Sequence, residues 1–101
     1  MPTKITVIYE NPKDPEAFEA GHREQLALAK QIPGVEGIES AKVWPKEDGS
    51  ATPAYRVLDL YFADYAAASA AAAQAGPLVA ATVEHATGGV VIAFAEVLED
   101  A

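Results

Sequence analysis

The sequence predicts an α+β sandwich in which a four-stranded antiparallel sheet carries two helices on one face, in the order β-α-β-β-α-β. Three observations predict it. Two strand-like apolar runs, Lys4–Tyr9 and Tyr55–Phe62, each lead into a helical stretch, Asp14–Ile32 and Asp64–Ala86. Each helical stretch meets a turn signal, Pro33-Gly34 or Gly88-Gly89, before a further strand-like run, Val35–Trp44 or Val90–Val97. At 101 residues the chain has room for one such unit, a single domain over 1–101 with one core. The pattern is the split βαβ repeat of a ferredoxin-like sandwich.

The first helix has clear punctuation. Asn11-Pro12-Lys13-Asp14-Pro15 forms a turn, with Asp14 suited to cap the helix and Pro15 to its first position. Glu16 and Glu19 suit the positive end of the helix dipole. At 100° per residue, Phe18, Gly21, His22, Gln25, Leu28, Ala29 and Ile32 share one face. His22 and Gln25 therefore sit on the face that should be buried, and such a conflict between pattern and polarity can mark a site.

The second helical stretch is alanine-rich, with high helix propensity but little side chain for packing. With little side-chain mass between Ala66 and Ala75, it should lie close on the sheet or be mobile at its outer face. Gly76-Pro77 should interrupt it, with Pro77 starting a second segment whose Leu78, Ala81, Thr82 and His85 share a face. His85, near the end of that segment, suits a helix C-terminus. The stretch 46–53 between the second and third strands is a polar loop.

The strands carry the assembly argument. In Tyr55–Phe62 the even positions Leu58, Leu60 and Phe62 form an apolar face that belongs against the helices, with Arg56 the exception. The odd positions Tyr55, Val57, Asp59 and Tyr61 suit neither bulk water nor a dry core. In the second strand Ile38 and Trp44 alternate with Glu39, Ala41 and Val43. The last strand is apolar on both sides: Val91, Ala93, Ala95 and Val97 on one, Val90, Ile92 and Phe94 on the other. Both sheet faces should thus be covered, one by the helices and the other by a second copy of the chain. This predicts a C2 homodimer whose interface buries on the order of 2,000 Å² or more.

Composition narrows the partners. Half of the residues are apolar and the net charge is −8 without a block of like charges, which argues against nucleic acid and against anionic membrane surfaces. With no cysteine, thiolate catalysis and cysteine metal sites are excluded. The two histidines are far apart, with no spaced carboxylates between them, so no metal site is expected. No nucleotide-binding glycine motif is present, so any chemistry is expected to need no cofactor. Met1-Pro2-Thr3-Lys4 enters a strand directly, without a signal-peptide or membrane-spanning run, and a cytoplasmic location is the expectation.

The run from Phe18 through Gly21-His22-Arg23-Glu24-Gln25 to Ile32-Pro33-Gly34 resembles the first helix of the EthD family, named for ethyl tert-butyl ether degradation, within the dimeric α+β barrel superfamily. The strand Leu58-Asp59-Leu60-Tyr61-Phe62 and the closing Ala86-Thr87-Gly88-Gly89-Val90 also resemble it. The resemblance implies a homodimer with two sheets facing each other around a barrel, and a small-molecule pocket in each subunit. It implies no single reaction, because relatives on this fold include monooxygenases, isomerases, decarboxylases, cyclases and proteins without known activity.

One position departs from the family. Where the family often has His-x-Pro-Leu, this chain has Gln25-Leu26-Ala27-Leu28, so the family histidine falls on Gln25. Glutamine cannot act as a general base, and the nearest imidazole is His22, one turn earlier on the same face. The candidate catalytic residues are accordingly His22 and Asp59, for proton transfer. The candidate substrate-binding residues are Gln25 and the amphipathic aromatics Tyr9, Trp44, Tyr55 and Tyr61. Each has a plain structural alternative: a satisfied buried histidine or amide, a carboxylate paired with a cross-strand or partner cation, or an aromatic of the core or interface. Two functional classes stay open. One is a small apolar or aromatic compound bound, or transformed without a cofactor by proton transfer, decarboxylation or oxygenation. The other is a non-catalytic dimeric binding or accessory module with a vestigial pocket. An open cavity converging on His22, Gln25 and Asp59 would favour the first.

Overall fold

A computed structural model describes residues 2–75 and 88–98. Within them the expected order holds: β1 (Thr3–Tyr9), α1 (Pro15–Ala29), β2 (Gly37–Lys42), β3 (Arg56–Phe62), α2 (Tyr65–Ala73) and β4 (Val90–Glu96). The sheet order is β2-β3-β1-β4 with every pairing antiparallel, which is the ferredoxin-like arrangement.

Both helices start where the sequence places them. The Asp14 carboxylate accepts from the Ala17 N–H at 3.2 Å, and the Asp64 carboxylate accepts from the Ala67 N–H at 2.8 Å. Their ends come earlier than expected. α1 stops at Ala29 rather than Ile32, because the next N–H groups bond three residues back, Gln31 to Leu28 and Ile32 to Ala29, tightening the last turn ahead of Pro33. α2 ends at Ala73 with Gln74 as its cap, so the interruption expected near Gly76-Pro77 falls just before that pair. The segment expected beyond it, with His85, lies outside the described residues.

β2 is also shorter than expected, ending at Lys42 rather than Trp44. It is an outer strand of the sheet, and Pro45 follows within three residues and cannot donate to a ladder. At the other end of the sheet the Gly88-Gly89 pair is required by space. A Cβ on Gly88 would lie 1.9 Å from the Asn11 carbonyl oxygen, and Gly89 has φ +111°.

The core lies between the helices and one sheet face. Ile5 and Val7 of β1 stand opposite Leu60 and Leu58 of β3, and Tyr9 and Phe62 extend the same face at its two ends, as the period-2 pattern requires. Ala68, Ala71 and Ala75 face this layer, and the absence of larger side chains lets α2 sit close to the strands. The opposite sheet face carries Lys4, Thr6 and Ile8, with Val57, Asp59 and Tyr61 beside them in register and Val91 and Ala93 on β4. Val91 is exposed in the single chain.

Candidate functional site

α1 places its two conflicting polar residues inward. Phe18, His22 and Gln25, spaced four and three apart, fall on one helical stripe and press against the helix-facing side of the sheet. His22 and Gln25 are each only 3% exposed. Burial of this kind is tolerated when every polar atom finds a partner. His22 Nδ1 lies 2.8 Å from Gln25 Oε1, and His22 Nε2 lies 2.9 Å from Ser40 Oγ on β2. The Gln25 amide nitrogen donates to the Tyr9 hydroxyl on β1.

Those contacts define a direction. With the amide oxygen of Gln25 facing Nδ1, that nitrogen carries the imidazole proton and donates. Nε2 is then the acceptor for the Ser40 hydroxyl. The chain therefore runs Ser40 to His22 to Gln25 to Tyr9, joining β2, α1 and β1. Phe18 stacks on the imidazole at 5.4 Å with a 14° interplanar angle, and the edge of Tyr9 closes a second side at 5.7 Å.

A charged group adjoins the chain. Arg56, at the start of β3, forms an ion pair with Glu19 and points Nη1 at Ser40 Oγ at 3.4 Å. Tyr55 donates its hydroxyl to Glu19 at 2.9 Å and sets its ring edge-on to Phe18. Burial works against the charge on Glu19, but the Arg56 and Tyr55 hydrogen bonds and the Arg56 charge together hold its carboxyl below the usual range. Burial raises the Tyr55 hydroxyl, and the neighbouring carboxylate adds to that. His22 is lowered, chiefly by burial and further by the Arg56 charge, against an opposing contribution from the Gln25 bond and Glu19. The resting imidazole is thus neutral near pH 7.

This gives a signed expectation for stability. A histidine lowered in the folded state binds its proton more readily when unfolded, so its contribution is full above the unfolded value and is lost as pH falls below it. Glu19, also lowered, adds a second loss at more acid pH, as protonation breaks its pairing with Arg56. The groups facing His22 are Glu19 on its own helix, Arg56 on β3 and Tyr9 on β1. Thermal unfolding followed by circular dichroism should show the melting temperature falling in two steps below pH 7. Replacement of His22 by asparagine should flatten the upper step only; an unchanged upper step would show that His22 does not produce it.

The cavity nearest this chain has a volume of about 90 Å³. Ile5, Val7, Leu58, Leu60 and Phe62 form its floor, Ala71 and Ala75 one wall, and Ile32 and Gln25 of α1 another. Among the described residues lining it, Gln25 is the polar one. His22 does not line it: the amide of Gln25 stands between the imidazole and the cavity.

Among the sequence-predicted residues, the structure unites His22, Gln25 and Tyr9, with Tyr55 one contact away through Phe18. It does not bring Asp59 to them. Asp59 is buried on the opposite sheet face, where its carboxylate accepts from Thr6 Oγ1 at 2.6 Å and pairs with Lys4 at 3.6 Å. A cavity converging on His22, Gln25 and Asp59 is therefore not present, because Asp59 follows the odd positions of β3 and the cavity the even ones. Tyr61 shares the Asp59 face. Trp44 is 87% exposed beyond the end of β2, beside a surface groove of about 400 Å³ with Lys42 and Tyr55. Tyr55 leaves the odd face expected for it, because it precedes β3 and a bulge pairs both its N–H and Arg56 with Tyr9.

Sequence reasoning missed Ser40 and the Arg56–Glu19 pair. The available signal was period 2: Ser40 shares parity with Ile38 on the apolar side of its strand, and Arg56 shares parity with Leu58. In each case a polar residue interrupts an inward face.

No family model matches the sequence. A protein of Rhodococcus erythropolis, described as an uncharacterised 11.0 kDa protein in the thcB-thcC intergenic region, is 34% identical over 96 residues, covering 92% of each chain. Among solved structures, an ethyl tert-butyl ether degradation (EthD) family protein of Bacillus halodurans superposes with a TM-score of 0.88 at 19% identity, over 97% of this chain and 100% of that one. SnoaB of Streptomyces nogalater, a cofactor-independent oxygenase, gives 0.70 at 17% identity, over 98% and 94%. A dimeric ferredoxin-like protein of unknown function from Thermobifida fusca gives 0.69 at 14% identity, over 96% and 92%. At these identities the property shared with the solved structures is the fold. No helix among the described residues is long and apolar enough to cross a membrane.

Proposed function

The chain belongs to the family of the Rhodococcus erythropolis 11.0 kDa protein, and on that premise we propose that it binds a small, largely apolar compound in the cavity between α1, α2 and the sheet. One observation carries this reading: among the described lining residues one amide, Gln25, interrupts apolar side chains, and His22 fixes which way that amide faces. Apolar walls with a few placed polar groups are the usual make-up of a small-molecule site. A volume of about 90 Å³ exceeds the roughly 10–15 Å³ that one water needs, and suits one compact ring or branched alkyl group. Gln25 would orient a carbonyl, ether or hydroxyl oxygen of the ligand, with Tyr9 holding the amide from behind.

The protein acts in this reading as a homodimer, one domain per subunit. Half-exposed apolar and polar side chains alternate over the sheet face opposite the helices, and similarly folded proteins are described as dimeric. A cofactor-independent oxygenase among the similar folds supports a ligand site that works without a bound cofactor. The Gln25 amide stands between a cavity ligand and His22, so this reading assigns no direct proton transfer between them.

The test uses phenol and toluene, which differ by one hydroxyl, titrated into 15N-labelled protein whose mass has been set by light scattering. Saturable shifts at Val7, Gln25 and Ala71, with phenol tighter than toluene by about tenfold, are expected for one hydrogen bond gained. Gln25→Leu should abolish the preference. Absence of saturable shifts with both compounds would remove the binding reading, and a monomeric mass would remove the dimer.

A further inference from the structure

We propose that Ser40, His22 and Gln25 form a nucleophilic site that transfers the acyl group of small carboxylic esters. It lies on the side of His22 away from the cavity and does not depend on the cavity holding a ligand. The geometry is that of nucleophile, base and orienting group. Ser40 Oγ is 2.9 Å from His22 Nε2, and His22 Nδ1 is 2.8 Å from Gln25 Oε1. Phe18 and Tyr9 hold the imidazole plane from two sides. Gln25 serves as the orienting residue: an amide oxygen fixes the tautomer as a carboxylate would, with less stabilisation of the imidazolium.

Charge stabilisation is present at the same atom. Arg56 Nη1 approaches Ser40 Oγ at 3.4 Å. The backbone supplies a second donor. β2 is one of the sheet's two outer strands, and the Val43 N–H bonds the Tyr55 carbonyl. Counting back along the ladder, Ala41, Glu39 and Gly37 turn their N–H groups toward β3, and Ser40 turns its own to the outer edge. An ester carbonyl over Ser40 Oγ could place its oxygen near that N–H and the guanidinium, the arrangement that stabilises a developing oxyanion. Ser40 is half-buried rather than enclosed, and a small ester would have to reach its Oγ from the outer edge of β2.

In the step, Ser40 Oγ forms a bond to the ester carbonyl carbon and its proton passes to His22 Nε2. The carbon–oxygen bond to the leaving group then breaks, and the leaving oxygen either takes that proton or departs as the anion while His22 gives the proton to solvent. Neutral His22 then takes a proton from water, whose oxygen bonds the acyl carbon; the bond to Ser40 Oγ breaks, Oγ recovers the proton, and the acid leaves. No oxidant or cofactor enters.

The full-length protein is incubated with p-nitrophenyl acetate and, separately, with diisopropyl fluorophosphate, which loses fluoride to a nucleophilic serine. Mass spectrometry of the whole chain and of its peptides should place one acyl or phosphoryl group on Ser40. Nitrophenolate release should exceed that of Ser40→Ala by about 100-fold, a typical size for general-base assistance. Release should fall as pH drops through the titration of His22, whose charged neighbours are Glu19 and Arg56. Gln25→Glu should raise it, because a carboxylate stabilises the imidazolium; a purely structural Ser40–His22 bond would give neither response. Folded wild-type protein that takes up no group at Ser40, or is acetylated on lysines only, overturns the proposal without recourse to any variant.

Discussion

Phe18→Ala is expected to cost about 3–5 kcal/mol of folding stability, the usual cost of removing a phenylalanine from a closed core. The ring is 2% exposed and lies 5.0 Å from Tyr9, 5.3 Å from Tyr55 and 5.4 Å from His22, centroid to centroid. It is therefore the common neighbour of β1, the start of β3 and the polar stripe of α1. None of these can move into the vacated space without giving up a hydrogen bond: Tyr9 to Gln25, Tyr55 to Glu19, or His22 to Ser40. For a domain of this size the loss corresponds to a drop in melting temperature of roughly 20 °C. The Phe18→Leu variant, which refills most of the volume, should recover more than half of it. A drop below about 5 °C for the alanine variant in a thermal scan would show that the core does not close around this ring.

Gln25→Leu should destabilise by about 2–4 kcal/mol although leucine nearly matches the side chain in volume. The buried His22 Nδ1–H loses its acceptor, an unsatisfied donor costing about 1–3 kcal/mol, and the hydrogen bond to Tyr9 contributes about 1 kcal/mol more. Gln25→Glu keeps an acceptor for His22, so it should cost less. It should also move the imidazole titration upward, since a carboxylate favours the charged ring. Urea unfolding gives the first comparison, and proton NMR of the imidazole across pH gives the second. Equal stability of the leucine variant and wild type would mean that the chain of hydrogen bonds does not hold α1 to the sheet.

The two variants share a physical basis. α1 is attached to the sheet by an aromatic cluster and by a line of hydrogen bonds that begins at Ser40 on an outer strand and ends at Tyr9 on an inner one. Low local dielectric strengthens such a line when it is complete and makes each missing partner expensive. The Glu19–Arg56 pair is more exposed, and solvent screening reduces its part in this attachment. The contact that matters more is the approach of Arg56 to Ser40, because it places positive charge beside the hydroxyl that meets His22 Nε2.

Element order, the Asp14 cap, the helix start at Asp64 and the inward stripe of α1 were legible in the chain. Each rests on interactions within a few residues: Asp14 with Ala17, the turn residues ahead of α2, and the 3.6-residue recurrence of Phe18, His22 and Gln25. The apolar parity of Leu58, Leu60 and Phe62 was equally local, since alternate residues of a strand face opposite ways whatever they meet. His22 and Gln25 were recognisable as a conflict between polarity and position. What resolves that conflict was not, because its partners lie on other strands: Ser40 is 18 residues from His22, and Tyr9 is 16 from Gln25.

Asp59 marks the opposite boundary. A carboxylate in an apolar strand signals a special position, but only the sheet decides which side it faces relative to the helices and which cation it meets. β1 brings Thr6 and Lys4 to it, on the face away from His22. Trp44 shows the same dependence, since its exposure follows from β2 being an outer strand and ending at Lys42. Periodicity, the Asp14 cap and strand parity could be read from the chain alone, because these are set by backbone geometry within one element. The tertiary structure decided which polar residues form one site, because hydrogen bonds between elements depend on strand order and register, and neither is written in any single segment.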